Sequence, residues 1–119
     1  MFLGLRTTIY RVEDPEKAKA WYSKVLGVAP YFDEPFYIGF NVGGYELGIQ
    51  PLEGKSLTVE TYWGVENAEE VYAKLLQDGC APYTPVEEVG GGIKVAMVMD
   101  PFKNHLGIIE NPHFKLASE

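Results

Sequence analysis

The sequence has few of the features that mark a secreted, membrane-spanning or nucleic-acid-binding protein. Its single cysteine, Cys80, cannot form a disulfide within the chain, so we expect a cytoplasmic protein. No apolar run approaches the ~20 residues that cross a bilayer, and the stretch from Met1 lacks the charged-then-apolar order of a signal peptide. Seventeen acidic residues outnumber ten Lys and Arg, and the net charge of −7 argues against a nucleic-acid partner. The composition thus indicates neither a membrane nor a nucleic acid as a partner, and it leaves the function open.

Familiar catalytic signatures are also missing. The chain has two histidines, His105 and His113, and no order of Ser, His and acid that indicates a nucleophile triad. Gly90-Gly91-Gly92 has no Lys beside it and no helical pattern after it, so it predicts a turn and not a phosphate-binding loop. With 119 residues, of which 46% are apolar, the chain is predicted to be a single domain with a substantial core.

The most informative feature that is present is an internal repeat. Val12-Glu13-Asp14 and Val65-Glu66-Asn67 lie 53 residues apart, and each follows a strand-like run and opens a helix-like run. Further matches are Thr8 with Thr61, Tyr10 with Trp63, and Glu46-Leu47-Gly48-Ile49 with His105-Leu106-Gly107-Ile108. A repeat of this size predicts two copies of one supersecondary unit, with a ligand cleft between them.

Each copy is predicted to run strand, helix and then three strands. Asp14 and Asn67 are typical helix N-caps, and Gly27 and Gly79 are typical helix ends. The predicted apolar helix faces are Ala18, Trp21, Tyr22, Val25 and Leu26 in one copy, and Ala68, Val71, Tyr72, Leu75 and Leu76 in the other. Strands are predicted over 5–12, 29–32, 36–42 and 45–50, and over 57–65, 83–88, 93–99 and 105–110. The two modules therefore cover about residues 4–50 and 57–112, with a linker of about 51–56.

Three stretches resemble the vicinal oxygen chelate superfamily, which includes glyoxalase I, the bleomycin-resistance proteins and the extradiol dioxygenases. They are Thr8–Asp14 with Ala20-Trp21-Tyr22 and Leu26-Gly27, then Val65–Gly79, and finally Asp100–Gly107, in which Lys103 stands where Gly is usual. The resemblance covers almost the whole chain. It implies an α+β fold in which two βαβββ modules form an open, cupped β-barrel with the helices outside. It also implies a homodimer.

Family members that carry out chemistry hold one divalent metal ion, such as Zn, Ni, Mn or Fe. Its ligands are a His, Gln or Glu from the first strand and a Glu from the last strand of each module. Transferred to this chain, the resemblance puts Thr7, Gly48, Glu60 and Gly107 at these positions. Glu60 is the one good ligand among them, and a divalent metal generally takes three or four donors from the protein. We therefore expect no metal cofactor at these positions.

A displaced metal site is the alternative. Glu46 and His105 lie two residues before the two glycines, so each lies on the same strand face as its glycine. Together with Glu60 they would supply one His and two carboxylates, the ligand set of a facial triad. In the other interpretation, Glu46 and His105 are solvated residues near a sheet edge.

The cup is predicted to bind a small organic molecule. The candidate ligand-binding residues are Thr7, Ile9, Arg11, Glu46, Gly48, Glu60, Tyr62, His105 and Gly107. Gly48 and Gly107 would leave room for the ligand or would only relieve crowding. Arg11 would meet a carboxylate or phosphate, or would pair with a nearby acid. The aromatic residues between Tyr31 and Phe40 would form a wall of the cleft or divide between core and surface.

Two functions follow from these patterns. The first is a glyoxalase/bleomycin-resistance-like protein that binds an apolar or zwitterionic molecule in the cup without a metal. The alternative is a metal-dependent lyase or dioxygenase in which Glu46, Glu60 and His105 hold a Lewis-acidic metal. Whether the chain is an enzyme stays open, and an accessory subunit with a vestigial cup is a third interpretation.

Overall fold

A computed structural model describes residues 1–54 and 59–114 of the chain, and these residues form two compact units. We call Thr7–Val59 the N-terminal unit, and Glu60–Phe114 together with Met1–Arg6 the C-terminal unit. In chain order the elements are β1 (Gly4–Val12), α1 (Pro15–Leu26), β2 (Phe32–Glu34), β3 (Tyr37–Val42), β4 (Tyr45–Pro51), β5 (Val59–Gly64), α2 (Ala68–Gln77), β6 (Ala81–Glu88), β7 (Lys94–Met99) and β8 (His105–Glu110). The predicted α+β class and the repeated βαβββ order are confirmed.

In the N-terminal unit the strands lie in the order β2-β3-β4-β1. β2, β3 and β4 form antiparallel pairs, whereas β4 and β1 are parallel, with Thr7 beside Glu46 and Ile9 beside Gly48. Alternation along the strands sends Ile38, Phe40 and Ile49 to the side that α1 covers, where all three are buried. Tyr22 and Leu26 of α1, among others, pack against this core, so the opposite side of the sheet carries no helix of this unit.

The predicted ends of α1 are confirmed, but its predicted apolar face is only partly correct. The Asp14 carboxylate accepts the Lys17 N–H at 3.2 Å, and Gly27 ends the helix with a φ of 73°. Trp21 and Val25 belong to the predicted face and yet are each 57% exposed. A stripe at helical spacing is wider than the part that meets the sheet, and here Ala18, Tyr22 and Leu26 make that contact.

In the C-terminal unit the strand order is β5-β8-β7-β6, with β5 parallel to β8 and the other pairs antiparallel. The helix α2 buries Ala68, Val71 and Leu75 against Ala96, Val98 and Ile108 of the sheet. Asn67 caps its start as predicted, and the Glu110 carboxylate accepts the Ala68 N–H at 2.8 Å. The helix is thus tied to the sheet both by packing and by a hydrogen bond from β8.

Several predicted boundaries need correction. The strand expected over 29–32 is β2 at Phe32–Glu34. The strand expected over 36–42 begins at Tyr37, so Phe36 lies in the turn between the two and is 64% exposed. Gly79 ends the second helix as predicted: the helix runs to Gln77, Asp78 is its C-cap, and Gly79 follows with a φ of 106°. The predicted start of the fifth strand, Leu57 and Thr58, lies outside the described residues. Neither helix in the described part of the chain is long and apolar enough to cross a membrane.

Candidate functional site

The side of the N-terminal sheet that faces away from α1 carries most of the unit's candidate ligand-binding residues. We call it the helix-free face. Strand alternation places three residues of each strand on this face, candidates and neighbours together: Thr7, Ile9 and Arg11 from β1, Tyr37, Gly39 and Asn41 from β3, and Glu46, Gly48 and Gln50 from β4. The parallel β1–β4 pair and the β3–β4 hairpin bring these residues into adjacent rows, although they come from distant parts of the sequence.

Glu46 is the centre of this face, and three hydroxyl groups donate hydrogen bonds to its carboxylate. Oε1 accepts from the Thr7 hydroxyl at 3.1 Å and from the Tyr37 hydroxyl at 2.9 Å. Oε2 accepts from the Tyr31 hydroxyl. We call Thr7, Tyr31, Tyr37 and Glu46 the Glu46 cluster. An ionised carboxylate only accepts hydrogen bonds, so the three hydroxyl hydrogens hold it in one orientation.

Two glycines make room for the tyrosines of the cluster. Gly39 and Gly48 lie directly opposite each other on β3 and β4. A Cβ at Gly48 would come within 2.6 Å of the Tyr37 ring carbon Cζ. A Cβ at Gly39 would lie 2.9 Å from both Glu46 Oε2 and the Tyr31 ring. The space that Gly48 leaves is therefore filled by Tyr37, and the two glycines serve the cluster itself.

Tyr31 and its aromatic neighbours form the outer part of the face. Burial, together with the hydrogen bond to Glu46 and the negative charge of that residue, raises the pKa of the Tyr31 phenol. The phenol therefore stays protonated at neutral pH and remains a donor. Phe32 packs edge-on against Phe36 and Tyr37, with distances between ring centroids of 6.0 and 6.1 Å. Phe32 and Phe36 are 40% and 64% exposed, so an aromatic wall open to solvent lies beside the carboxylate.

The other candidates on the β1 strand have more ordinary surroundings. The Arg11 guanidinium donates to the Gln50 side-chain oxygen at 2.8 Å, across the β1–β4 pair. Ile9 is buried, with 6% of its surface exposed. The Gln50 amide on the neighbouring strand thus helps to orient the Arg11 guanidinium.

The C-terminal unit repeats the glycine motif and has His105 at the repeat position of Glu46. A Cβ at Gly107 would lie 2.6 Å from the Tyr62 ring and 2.9 Å from the Thr61 main-chain oxygen, so Tyr62 fills this space as Tyr37 fills the other. His105 stacks on Tyr83 with ring centroids 4.7 Å apart. Glu60 is buried, with 8% of its surface exposed.

The residues at the family's metal-ligand positions do not fit a divalent metal ion. Gly48 and Gly107 offer no side chain, a tyrosine fills the space beside each of them, and the Thr7 hydroxyl donates to Glu46. One carboxylate, that of Glu60, remains where three or four donors are needed. In residues 1–54 and 59–114 no group of three or more His, Cys, Asp and Glu side chains is placed to hold a metal ion.

The sequence does not indicate the polar role of two residues of the Glu46 cluster. It predicts Tyr31 and Tyr37 only as aromatic residues of a possible wall. Their hydroxyls reach Glu46 because β3 pairs with β4 and because the chain before β2 returns along β3, where the Tyr31 N–H donates to the Gly39 oxygen at 2.9 Å. The signal available in the sequence was the alternation of Tyr37 with Gly39 on one strand face.

Solved structures with the same fold come from proteins of different activities. They include methylmalonyl-CoA epimerase from Mycobacterium tuberculosis, at 14% identity and a TM-score of 0.75 over 92% of this chain and 88% of that one. A protein from Legionella pneumophila described as NAD-dependent benzaldehyde dehydrogenase has 18% identity and a TM-score of 0.71, over 87% and 96% of the two chains. A glyoxalase/bleomycin resistance protein/dioxygenase superfamily member from Vibrio splendidus 12B01 has 16% identity and a TM-score of 0.69, over 90% and 99%. At such identities the likeness shows the fold alone.

The sequence itself carries the family assignment. No curated protein matches the chain by sequence. The family model of the Glyoxalase/Bleomycin resistance protein/Dioxygenase superfamily matches residues 4–108, which is most of the chain and includes both copies of the repeat. The chain therefore belongs to the Glyoxalase/Bleomycin resistance protein/Dioxygenase superfamily.

Proposed function

We propose that this protein binds a small organic molecule on the helix-free face and does so without the divalent metal that many superfamily members use. The observation that carries the proposal is the Glu46 cluster. At the place where a relative would present a metal ligand, this chain has Gly48, and the Tyr37 side chain occupies the space and bonds to Glu46. A fixed carboxylate beside an exposed aromatic wall is the composition of a ligand site, in which few polar groups orient a mainly apolar body.

The remaining predicted contacts complete this proposal. Arg11 and Ile9 extend the face along β1. In the C-terminal unit we propose Glu60, Tyr62, His105 and Gly107 as ligand-binding residues. We further propose a homodimer, because superfamily members commonly assemble in this way. Light scattering during size-exclusion chromatography would check the dimer by giving twice the 13.3 kDa mass of one chain.

Metal retention is the first test. The protein is incubated with Ni²⁺, Zn²⁺, Mn²⁺ and Fe²⁺ in turn, desalted and analysed for metal. We expect far less than one ion per chain in the wild type, in Glu60→Gln and in the exposed-acid control Glu69→Gln. Near-stoichiometric metal that is lost in Glu60→Gln alone would overturn the metal-free proposal and favour a metal-dependent lyase or dioxygenase.

Ligand binding is tested with a fragment library and two-dimensional NMR of the labelled protein. We expect binders to shift amide signals of β3 and β4, and we expect Tyr37→Ala to abolish these shifts because Glu46 then loses a donor that orients it. Phe102→Ala is the control, since it removes an exposed aromatic side chain from a turn of the C-terminal unit. No binder at all, or shifts confined to the two helices, would contradict the proposal.

A further inference from the structure

The hydrogen bonds of the Glu46 cluster restrict what kind of chemical group it can receive. Each of the Thr7, Tyr31 and Tyr37 hydroxyls has one hydrogen, and each hydrogen points to the Glu46 carboxylate. What remains toward a ligand is a set of acceptors, namely the lone pairs of the Tyr31 phenol oxygen and the unused lone pair of Oε2. A ligand that meets this cluster must therefore donate hydrogen bonds.

The charge at the cluster points in the same direction. The three groups that hold Glu46 are neutral, so within the described residues they orient its negative charge without neutralising it. Other acids of the described chain do meet a cation: Lys19 contacts Glu16 and Asp33, and Lys94 contacts Glu69. The whole chain also carries a net charge of −7, which favours the approach of cations over anions.

The aromatic side chains beside the carboxylate suit the same kind of ligand. Tyr37 bonds to Glu46, Phe32 packs against Tyr37, and Phe36 packs against Phe32, with Phe32 and Phe36 open to solvent. Aromatic faces attract a cationic nitrogen through their quadrupole and also cover the apolar body that carries it. A carboxylate-terminated or phosphorylated group would gain neither interaction here, and it would be repelled by Glu46.

We propose that the Glu46 cluster is a receptor for a cationic nitrogen, a protonated amine, amidinium or guanidinium, carried on an aromatic or apolar body. The inference rests on the proposed small-molecule function and narrows its ligand class. Glu46 pairs with the cation, and Tyr31 and Tyr37 fix the carboxylate. The Tyr31 oxygen also accepts a hydrogen bond from the same cation, and Phe32 and Phe36 cover the ligand body. The missing side chains at Gly39 and Gly48 allow the two phenols to lie close enough to do this.

Three probes of the same size separate the possibilities: benzylammonium, benzyl alcohol and benzoate, titrated by NMR at equal pH and salt. We expect benzylammonium to bind the wild type about tenfold more tightly than benzyl alcohol, and benzoate to bind least, because a charge-assisted pair is available to the ammonium alone. Glu46→Gln should remove this preference. Glu69→Gln, which also removes one negative charge, should keep it, since Glu69 lies on α2 of the other unit.

A second variant keeps the test informative if Glu46→Gln disturbs the fold. Tyr31 is 62% exposed, so Tyr31→Phe should fold normally. It removes one donor that fixes Glu46 and one acceptor for the cation, so the preference for ammonium over alcohol should fall roughly twofold or more. A purely structural role of the cluster would lower binding of both probes equally.

The outcomes distinguish this inference from the proposed function. Equal or tighter binding of benzoate, or ammonium binding that Glu46→Gln leaves unchanged, would overturn the cation receptor while leaving a small-molecule site in place. If none of the three probes bound and the fragment library also gave no binder at β3 and β4, both the receptor and the proposed function would be wrong.

Discussion

The two units share one motif and surround it with different chemistry. In each, a glycine on the last strand lies under a tyrosine: Gly48 under Tyr37, and Gly107 under Tyr62. Tyr37 reaches its glycine diagonally from the antiparallel strand β3, so its hydroxyl end arrives there and meets Glu46. Tyr62 lies directly opposite its glycine on the parallel strand β5, so its ring edge fills the gap. The two units therefore share the fold. They differ in which part of a tyrosine fills the space beside the glycine: a hydroxyl group in the N-terminal unit and a ring edge in the C-terminal unit.

The helices of the two units differ as well. α2 buries three residues in its sheet, whereas α1 buries none fully. The same sequence signals, an N-cap and an apolar stripe at helical spacing, thus produced a well-anchored helix in one unit and a half-covered one in the other. Packing against the sheet and not intrinsic propensity is the main source of helix stability in proteins, so the two helices should respond differently to mutation.

The largest expected difference concerns this helix packing. Leu75 on α2 is 5% exposed and Val25 on α1 is 57% exposed. Leu75→Ala should lower the free energy of unfolding by about 2–5 kcal/mol because it opens a cavity, whereas Val25→Ala should change it by no more than ~0.5 kcal/mol. Urea unfolding measures both. Similar losses for the two variants would show that α1 is packed as tightly as α2.

The two glycines provide the next comparison. Gly48→Ala and Gly107→Ala should each cost about 1–3 kcal/mol of unfolding free energy, because a Cβ overlaps a tyrosine in both places. Adding Tyr37→Ala should restore most of the loss at Gly48. Adding Tyr62→Ala should restore less at Gly107, since the Thr61 main-chain oxygen remains 2.9 Å from the new Cβ. Thermal unfolding of the four variants checks this, and equal rescue at both sites would refute the difference.

A smaller difference lies in the pH dependence of the hairpin turns. The Asp100 carboxylate accepts the Phe102 and Asn104 N–H groups, both at 2.8 Å, and the Asn104 amide, which together lower its pKa. Because the native pKa is lowered, the stabilisation is complete above the unfolded pKa, ~3.9, and is lost as the pH falls through the native value. The N-terminal turn instead uses the uncharged Asn41 side chain, which accepts the Gly44 N–H at 3.0 Å.

We therefore expect the stability difference between wild type and Asp100→Asn to be largest near neutral pH and to vanish in strong acid. The loss caused by Asn41→Ala should be about 0.5–1.5 kcal/mol at every pH, because no proton is taken up there. Denaturant titrations from pH 2 to 7 distinguish the two patterns. A constant loss in Asp100→Asn would mean that its charge does not contribute.

The smallest effect is expected at a residue that departs from the family pattern. Lys103 has a φ of 70°, a left-handed conformation, where the family usually has Gly, and Gly43 in the N-terminal turn has a similar φ of 62°. Lys103→Gly should stabilise the protein by about 0.5 kcal/mol. This is the net result of relieving backbone strain in the folded state and of the greater conformational entropy that glycine has in the unfolded state. Gly43→Lys should have the opposite sign. Melting temperatures measured side by side would show it, and a loss of stability in Lys103→Gly would contradict the strain argument.

Much of the fold could be predicted because its signals are local. Asp14, Asn67 and Gly27 mark helix ends through the backbone conformation and the hydrogen bonds of single residues, and the structure confirms all three. The Gly43-Gly44 turn and the last strand, His105–Glu110, also follow from nearby residues. The predictions fail where contacts between residues distant in the sequence determine the outcome. Examples are the exposure of Trp21, the turn position of Phe36 and the bounds of the short strand β2.

The candidate site could be predicted only in part for the same reason. Thr7 and Glu46 were both expected to contact a ligand, and the structure adds that they bond to each other. The role of Tyr31 and Tyr37 as donors to Glu46 depends on how β2, β3 and β4 align, and this alignment is not encoded near either residue.

The sequence by itself determined the repeat, the βαβββ order and the poverty of metal ligands at the family's positions, because each depends on residue identity and spacing along the chain. Only the tertiary structure decided that tyrosine side chains fill the gaps beside Gly48 and Gly107, and that three hydroxyls converge on Glu46. Strand pairing brings together residues as far apart as Thr7 and Glu46, and a side chain long enough to cross a strand takes whatever space its neighbours leave.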